Sequence, residues 1–242
     1  MNADHETRER LLEAGERLFG ERGFRKVTVR EICRAAHANV AAVNYHFGDK
    51  LGLYREVLQR AIDAMRATTE VAREAGKGQP PEEQLRRYVK LFLRAILSPE
   101  SLPVHRLLLR EINEPTPALD AIVEQAFRPR IEYLAGVVAR MIGCGAHDPR
   151  VLRCIGSIQS QHVAYMRNPI AERLGFRFEA TPAHIDEAAE HITRFSLGGV
   201  RAVAQAARSS LASRGSKAMP SRRTSPRPKR LRATRRRSAS SL

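Results

Sequence analysis

The chain has 242 residues, 43% of them hydrophobic, and a formal net charge of +16, which is room for one large domain or two small ones with a real core. No run reaches the roughly 18 apolar residues of a membrane helix, and the charged start MNADHETRER lacks the apolar stretch of a secretion signal, so a cytoplasmic protein with no membrane partner is expected. Residues 214–242 hold eleven Lys or Arg and no acid, leaving 31 bases against 26 acids elsewhere, so the body is only mildly basic.

Helical periodicity dominates and the strand signal is weak throughout. The first helix spans about Asp4 to Arg22, with Leu11, Leu18 and Phe19 on one face and Gly23 placed to end it in a left-handed conformation. Thr28-Val29-Arg30-Glu31 is a capping box that opens a short second helix with a stripe of Val29, Ile32, Ala35 and Ala36. After a turn at His37, Asn39 caps a third short helix. Asp49 then caps a longer one running to about Ala72. Two short helices around a turn, laid on a longer first helix, outline a three-helix helix-turn-helix domain over residues 1–75.

Gly76-Lys77-Gly78-Gln79-Pro80-Pro81 is a loop and the expected domain boundary. Helices follow near 82–97, 104–113, 117–142, 149–167 and 182–208. Thr116-Pro117, Asp148-Pro149, Asn168-Pro169 and Thr181-Pro182 each pair an N-cap residue with a proline at the first helical position. A C-terminal helical domain over 76–213 and a disordered basic tail over 214–242 complete an all-α chain. The cysteines Cys33, Cys144 and Cys154 are odd in number with no CxxC spacing, and read as small buried side chains.

The stretch NVAAVNYHFGDK, residues 39–50, has the make-up of a helix that enters the major groove. Such a helix needs an inner side that holds the core and an outer side of small or hydrogen-bonding groups. Val43 and Phe47 suit the inner side. Val40, Ala41, Ala42 and Asn44 are left facing out, with Asn44 able to pair with adenine and the small apolar groups able to meet a thymine methyl. Tyr45, His46 and Lys50, and Thr28 at the preceding helix start, are placed to reach phosphates.

With LLEAGERLFGERGF, VTVREICRAA and GLYREVL, that stretch makes the span from about Glu6 to Arg60 resemble the DNA-binding domain of the TetR family. The run ANVAAVNYHFGDK, REINEPTPALDAIVEQ at 110–125 and SIQSQ at 157–161 resemble its CecR-like subgroup more narrowly. The resemblance implies base contacts from Val40, Ala41 and Asn44, and backbone contacts from Thr28, Ala42, Tyr45, His46 and Lys50. It departs at His37, where the family usually has Gly, so either His37 accepts an unusual geometry, a positive φ being better tolerated by His than by most residues, or the turn differs slightly. An acidic residue is also usual where Leu51 stands.

The resemblance further implies a C-terminal domain for ligand binding and dimerisation, whose last two long helices pair with a second copy. Apolar stripes at Val151, Ile155 and Ile158, and at Ile185, Ile192, Leu197 and Val200, are compatible with this. A homodimer on double-stranded DNA implies a palindromic operator, and a small-molecule effector would release a repressor from it. Polar candidates for the effector pocket are His105, Arg110, Glu111, Gln159, Gln161 and His162. His184, Glu187 and His191 share a helix face, which reads as a solvated stripe; no metal or cofactor is expected. No GxSxG, P-loop, HExxH or dinucleotide motif points to an enzyme. An alternative of another class is a nonspecific nucleic-acid-binding protein acting through the basic tail.

Overall fold

Helix starts follow the caps that the sequence supplies. The computed structural model describes residues 3–98, 101–166, 169–175 and 178–217, and among these there is no strand. The first helix, α1 (Ala3–Arg22), ends at Gly23, whose φ of 81° lets its N–H return to the Phe19 carbonyl at 2.8 Å. At the start of α2 (Val29–Ala35), the Thr28 hydroxyl accepts from the Glu31 amide at 3.3 Å, and the Thr28 amide donates to the Glu31 carboxylate at 2.8 Å. This is the expected capping box.

His37 takes the positive φ, 50°, and is the one described non-glycine residue to do so. Its N–H returns to the Arg34 carbonyl and that of Ala38 to the Cys33 carbonyl at 2.9 Å. That pair of bonds is a Schellman turn, which satisfies the last carbonyls of α2 and swings the chain toward the third helix.

Asn39 caps α3 (Val40–Phe47) by accepting from the Ala41 amide at 3.1 Å. Asp49 caps α4 (Lys50–Gly76) by accepting from the Gly52 amide at 2.7 Å. A Cβ on Gly52 would sit 1.9 Å from the Phe47 carbonyl oxygen, so only glycine lets α4 start this close against the end of α3.

The rest is α5 (Pro81–Leu97), α6 (Leu102–Asn113), α7 (Leu119–Ile122), a π-helical turn over Val123–Phe127, α8 (Arg128–Ile142), α9 (Pro149–Ala164), α10 (Pro169–Arg173) and α11 (Pro182–Lys217). The helix expected over 117–142 runs without a gap from Leu119 to Ile142, with the π-helical turn set inside it. The Thr116 hydroxyl accepts from the Ala118 amide at 3.2 Å, as a cap at Pro117 would, while it and the Thr116 amide donate to Glu111; regular helix begins two residues after the proline. The Asp148 cap stands, accepting from the Arg150 amide at 2.8 Å, and so does Thr181, which accepts from His184 at 3.3 Å. Asn168 lies outside the described residues, as does the tail beyond Lys217; α11 itself runs past the expected end at 208.

Two apolar cores form. The head core joins Leu11, Phe19, Ile32, Val43 and Leu53 to Leu107, Leu108, Ile122 and Ala126, which come from α6, α7 and the π turn. The second core is built from α5, α8, α9 and α11 around Leu85, Leu93, Leu134, Ile155 and Ile192. The chain therefore enters the second layer at α5 and returns to the first before α8. The turn at 76–81 joins α4 to α5, but it does not divide the packing. Cys33 and Cys154 are buried and no disulfide forms.

Candidate nucleic-acid interface

The helix α3 is held by one fully buried residue, Val43, with Phe47 packed beside it against the head core. On the opposite side, Val40, Ala41, Asn44 and Tyr45 are exposed and share one face, since i, i+1, i+4 and i+5 line up on a helix. Tyr45 projects furthest, with 78% of its surface exposed. Among the described residues the Asn44 side chain has no hydrogen-bond partner, so both its donor and its acceptor are open to a base edge. Ala42 is half-buried and packs against the core, so it offers less to DNA than its neighbours.

Two of the expected backbone contacts are placed differently. Lys50 turns inward: its ammonium donates to the carbonyls of Phe24 and Val27, each at 2.9 Å, and lies 4.3 Å from the centre of the Phe24 ring. It braces the loop between α1 and α2, because those two carbonyls have no helical partner and a cation satisfies both. The His46 side chain is only 8% exposed and its Nε2 lies 3.4 Å from Asp4 of α1. That ring faces the first helix and not the outer face of α3. Thr28 is exposed, but its hydroxyl is already bound to Glu31, whose carboxyl is held down to about 2 by hydrogen bonds from Thr28 and Arg22.

The sequence reading missed a set of cations. Arg25, Lys26, Arg30 and Arg34 are exposed, and none takes part in an ion pair among the described residues. Several other bases of the head are neutralised, as in Arg8–Glu56, Arg60–Glu9 and Arg22–Glu31. Free positive charge therefore gathers on α2 and the loop before it, beside the uncharged face of α3. The signal was available, since Arg30 and Arg34 stand at i and i+4.

The effector candidates scatter. Arg110 donates to the Glu21 carbonyl at 2.8 Å and lies on an outer groove between α1 and α6. Glu111 is fully buried but saturated, accepting from Tyr54 and twice from Thr116. Neither faces a chamber in the second core. His105, on α6, is half-buried with an unpartnered Nδ1, and burial pushes its pKa down. Gln159 and His162 do converge. Gln159 accepts from the Tyr88 hydroxyl at 3.0 Å, and His162 meets Phe92 edge-on with ring centres 5.0 Å apart. Gln161 instead donates to Ser196 on α11 at 3.1 Å. His184 engages the Glu179 carbonyl and His191 lies over Phe195; no three metal-binding groups converge among the described residues.

The stripes expected to meet a second copy also turn inward. Val151, Ile155, Ile158, Ile185, Ile192, Leu197 and Val200 are all buried in the chain's own core. The faces of α9 and α11 left open carry Leu152, Val163 and Phe195, each more than half exposed. Between the two helices runs a groove of about 530 Å³ floored by Cys154, Ile158, Val200 and Val203.

A helix-turn-helix head with an uncharged outward helix, carried on a helical second layer, defines a DNA-binding regulator. Residues 11–57 match the tetR family of bacterial regulatory proteins, and residues 81–200 match the C-terminal domain of the HTH-type transcriptional dual regulator CecR. The chain belongs to the TetR family and is a DNA-binding transcriptional regulator. It is 27% identical to the dual regulator CecR of Shigella flexneri over 61% of this chain and 70% of that one. It is 26% identical to the transcriptional activator FasR of Mycolicibacterium smegmatis over 81% of this chain and 83% of that one. The fold is similar to that of the TetR-family regulator PfmR from Thermus thermophilus, with a TM-score of 0.59 at 22% identity, covering 78% of this chain and 97% of the other. These relatives are all transcription regulators. No helix among the described residues is long and apolar enough to cross a membrane.

Proposed function

We propose that two copies of the chain pair through the open faces of α9 and α11, and present two α3 helices to successive major grooves of a palindromic operator. The observation that carries this is the outer face of α3: small apolar groups and one unengaged Asn, anchored from behind by a fully buried Val43. Val40, Ala41 and Asn44 read bases, Tyr45 meets the backbone, and Arg25, Lys26, Arg30 and Arg34 supply the phosphate contacts expected of Lys50 and His46. Thr28 and Ala42 border this surface. Occupying a promoter makes the dimer a repressor, and a small-molecule effector in the second core favours a dimer geometry that no longer matches operator spacing.

Footprinting on DNA flanking the protein's own gene tests the reading. The expected result at moderate salt is a protected palindrome with half-sites about 34 Å apart. Protection with no two-fold symmetry, or none at all, overturns it. The competing role for the tail is tested with a chain ending at Arg214. Operator preference survives there under the present reading, and only affinity for random duplex falls.

A further inference from the structure

Arg130 is a buried cation without an anion. It is 7% exposed, on the first turn of α8, and no carboxylate lies within ion-pair distance of it among the described residues. Its guanidinium sits between two aromatic rings, 4.8 Å from the centre of Phe92 and 4.7 Å from that of Phe127, and its Nε has no hydrogen-bond partner. Beside it, His162 is fully buried, edge-on to both Phe92 and Tyr88, with only the backbone carbonyls of Ile158 and Gln159 near its ring nitrogens. Tyr88 stacks on Phe92 with ring centres 5.4 Å apart, and its hydroxyl donates to Gln159.

A lone buried charge costs several kcal/mol unless something compensates it. Here a flat guanidinium fork, a buried imidazole with no side-chain partner and three aromatic rings meet with nothing acidic among them. Resting on the reading of this domain as an effector-binding one, we infer that the effector is a carboxylate on an apolar or aromatic body, its two oxygens taken by Arg130, with His162 as the second polar contact and Phe92, Tyr88 and Phe127 around the body.

The charge count favours a monoanion. One cation faces the site, and burial pushes His162 down to about 4, so it adds no second charge near neutrality. A dianionic phosphate would leave net negative charge in an apolar core, whereas a carboxylate matches the guanidinium fork and its charge. The place has a consequence of its own. Phe92 belongs to the second core and Phe127 packs on the head core, so Arg130 stands at the seam between them. A ligand that pulls the guanidinium from between those rings shifts the two cores against each other.

The test titrates the full chain at pH 7 with benzoate, phenylacetate and octanoate, and with benzamide and octanamide as uncharged counterparts, by calorimetry and thermal melting. The inference expects at least one acid to bind, with its amide at least tenfold weaker. Arg130→Met should abolish acid binding while melting at the same temperature or higher, since the uncompensated charge is gone; Arg130→Lys should bind more weakly than wild type. The inference is overturned if amides bind as well as acids, if no acid binds, if Arg130→Met still binds the acid, or if that variant melts well below wild type. A wild-type chain that binds its operator but no acid removes this inference alone. A chain with no operator removes the proposed function instead.

Discussion

The Tyr54 hydroxyl donates to the Glu111 carboxylate across 2.5 Å, joining α4 of the reading head to α6 at a point sealed from solvent. Glu111 also takes the amide and hydroxyl of Thr116, so one carboxylate ties together α4, α6 and the turn before α7. Burial, and then donation to Glu111, raises the Tyr54 phenol well above its ordinary pKa, so it remains a donor throughout the working range. Tyr54→Phe removes one of three donors to a buried carboxylate. The expected loss is about 1–3 kcal/mol in urea unfolding. An unchanged midpoint would show that water replaces the phenol and that the tie is slack.

His37 offers a gain. A left-handed backbone costs a side-chain-bearing residue roughly 1–2 kcal/mol, against which glycine has its own entropy cost. His37→Gly should raise stability by about 0.5 kcal/mol, and His37→Val should lower it by 1 kcal/mol or more, about as a β-branched residue at positive φ requires. Equal midpoints for the two variants would mean the turn relaxes when substituted.

The bases around α3 separate by salt dependence. Asn44→Ala should relax base preference by about 1–3 kcal/mol at one position of each half-site. Arg34→Ala should weaken specific and random duplex alike and lower the salt slope by about 1 per site. Lys50→Met should do neither. With its ammonium spent on the Phe24 and Val27 carbonyls, it should cost about 1–2 kcal/mol of fold stability and leave the slope alone. A reduced slope for Lys50→Met would return Lys50 to the phosphates.

His162 predicts an acid-labile second core. Its ordinary value is 6.5 and burial holds the folded ring down to about 4, so between those values the unfolded chain binds the extra proton. Stability is complete above about pH 6.5 and falls as pH drops toward 4, by on the order of 2 kcal/mol between pH 7 and pH 5. Urea midpoints for wild type and His162→Phe should diverge over that range. His105, also pushed down by burial, leaves a residue of the same sign in the variant. Parallel curves would mean that His162 gains a proton with little penalty.

Phe195 is 65% exposed on the open side of α11. Phe195→Glu places a charge where a second copy is proposed to pack, and sedimentation should show monomers at micromolar concentration. A dimer that survives it lies elsewhere.

The caps at Thr28, Asn39, Asp49 and Asp148 could be read in advance because each is settled within a few residues of itself, whereas at His37 the sequence left open whether the residue or the turn would yield. The direction of a long side chain is not. Lys50 reaches carbonyls 23 and 26 positions back, and no local pattern says whether it points to them or to solvent. Periodicity on α9 and α11 marked which residues are apolar but not whether they meet their own chain or another. They meet their own, and the open face is carried by Leu152, Val163 and Phe195, which the pattern passed over. The π turn at 123–127 hid within a helical stretch because its extra residue per turn leaves no compositional trace. Nothing in the sequence announces the rings on either side of Arg130.

Because Leu107, Leu108, Ile122 and Ala126 are bricks of the head core, the first 75 residues are not a transferable cassette. A chimera that grafts this reading head onto another regulator must bring α6 through the π turn along with it, or leave an apolar seat empty beneath α4. Swapping specificity within such proteins is better done by exchanging side chains on α3 than by cutting at the loop that looks like a hinge.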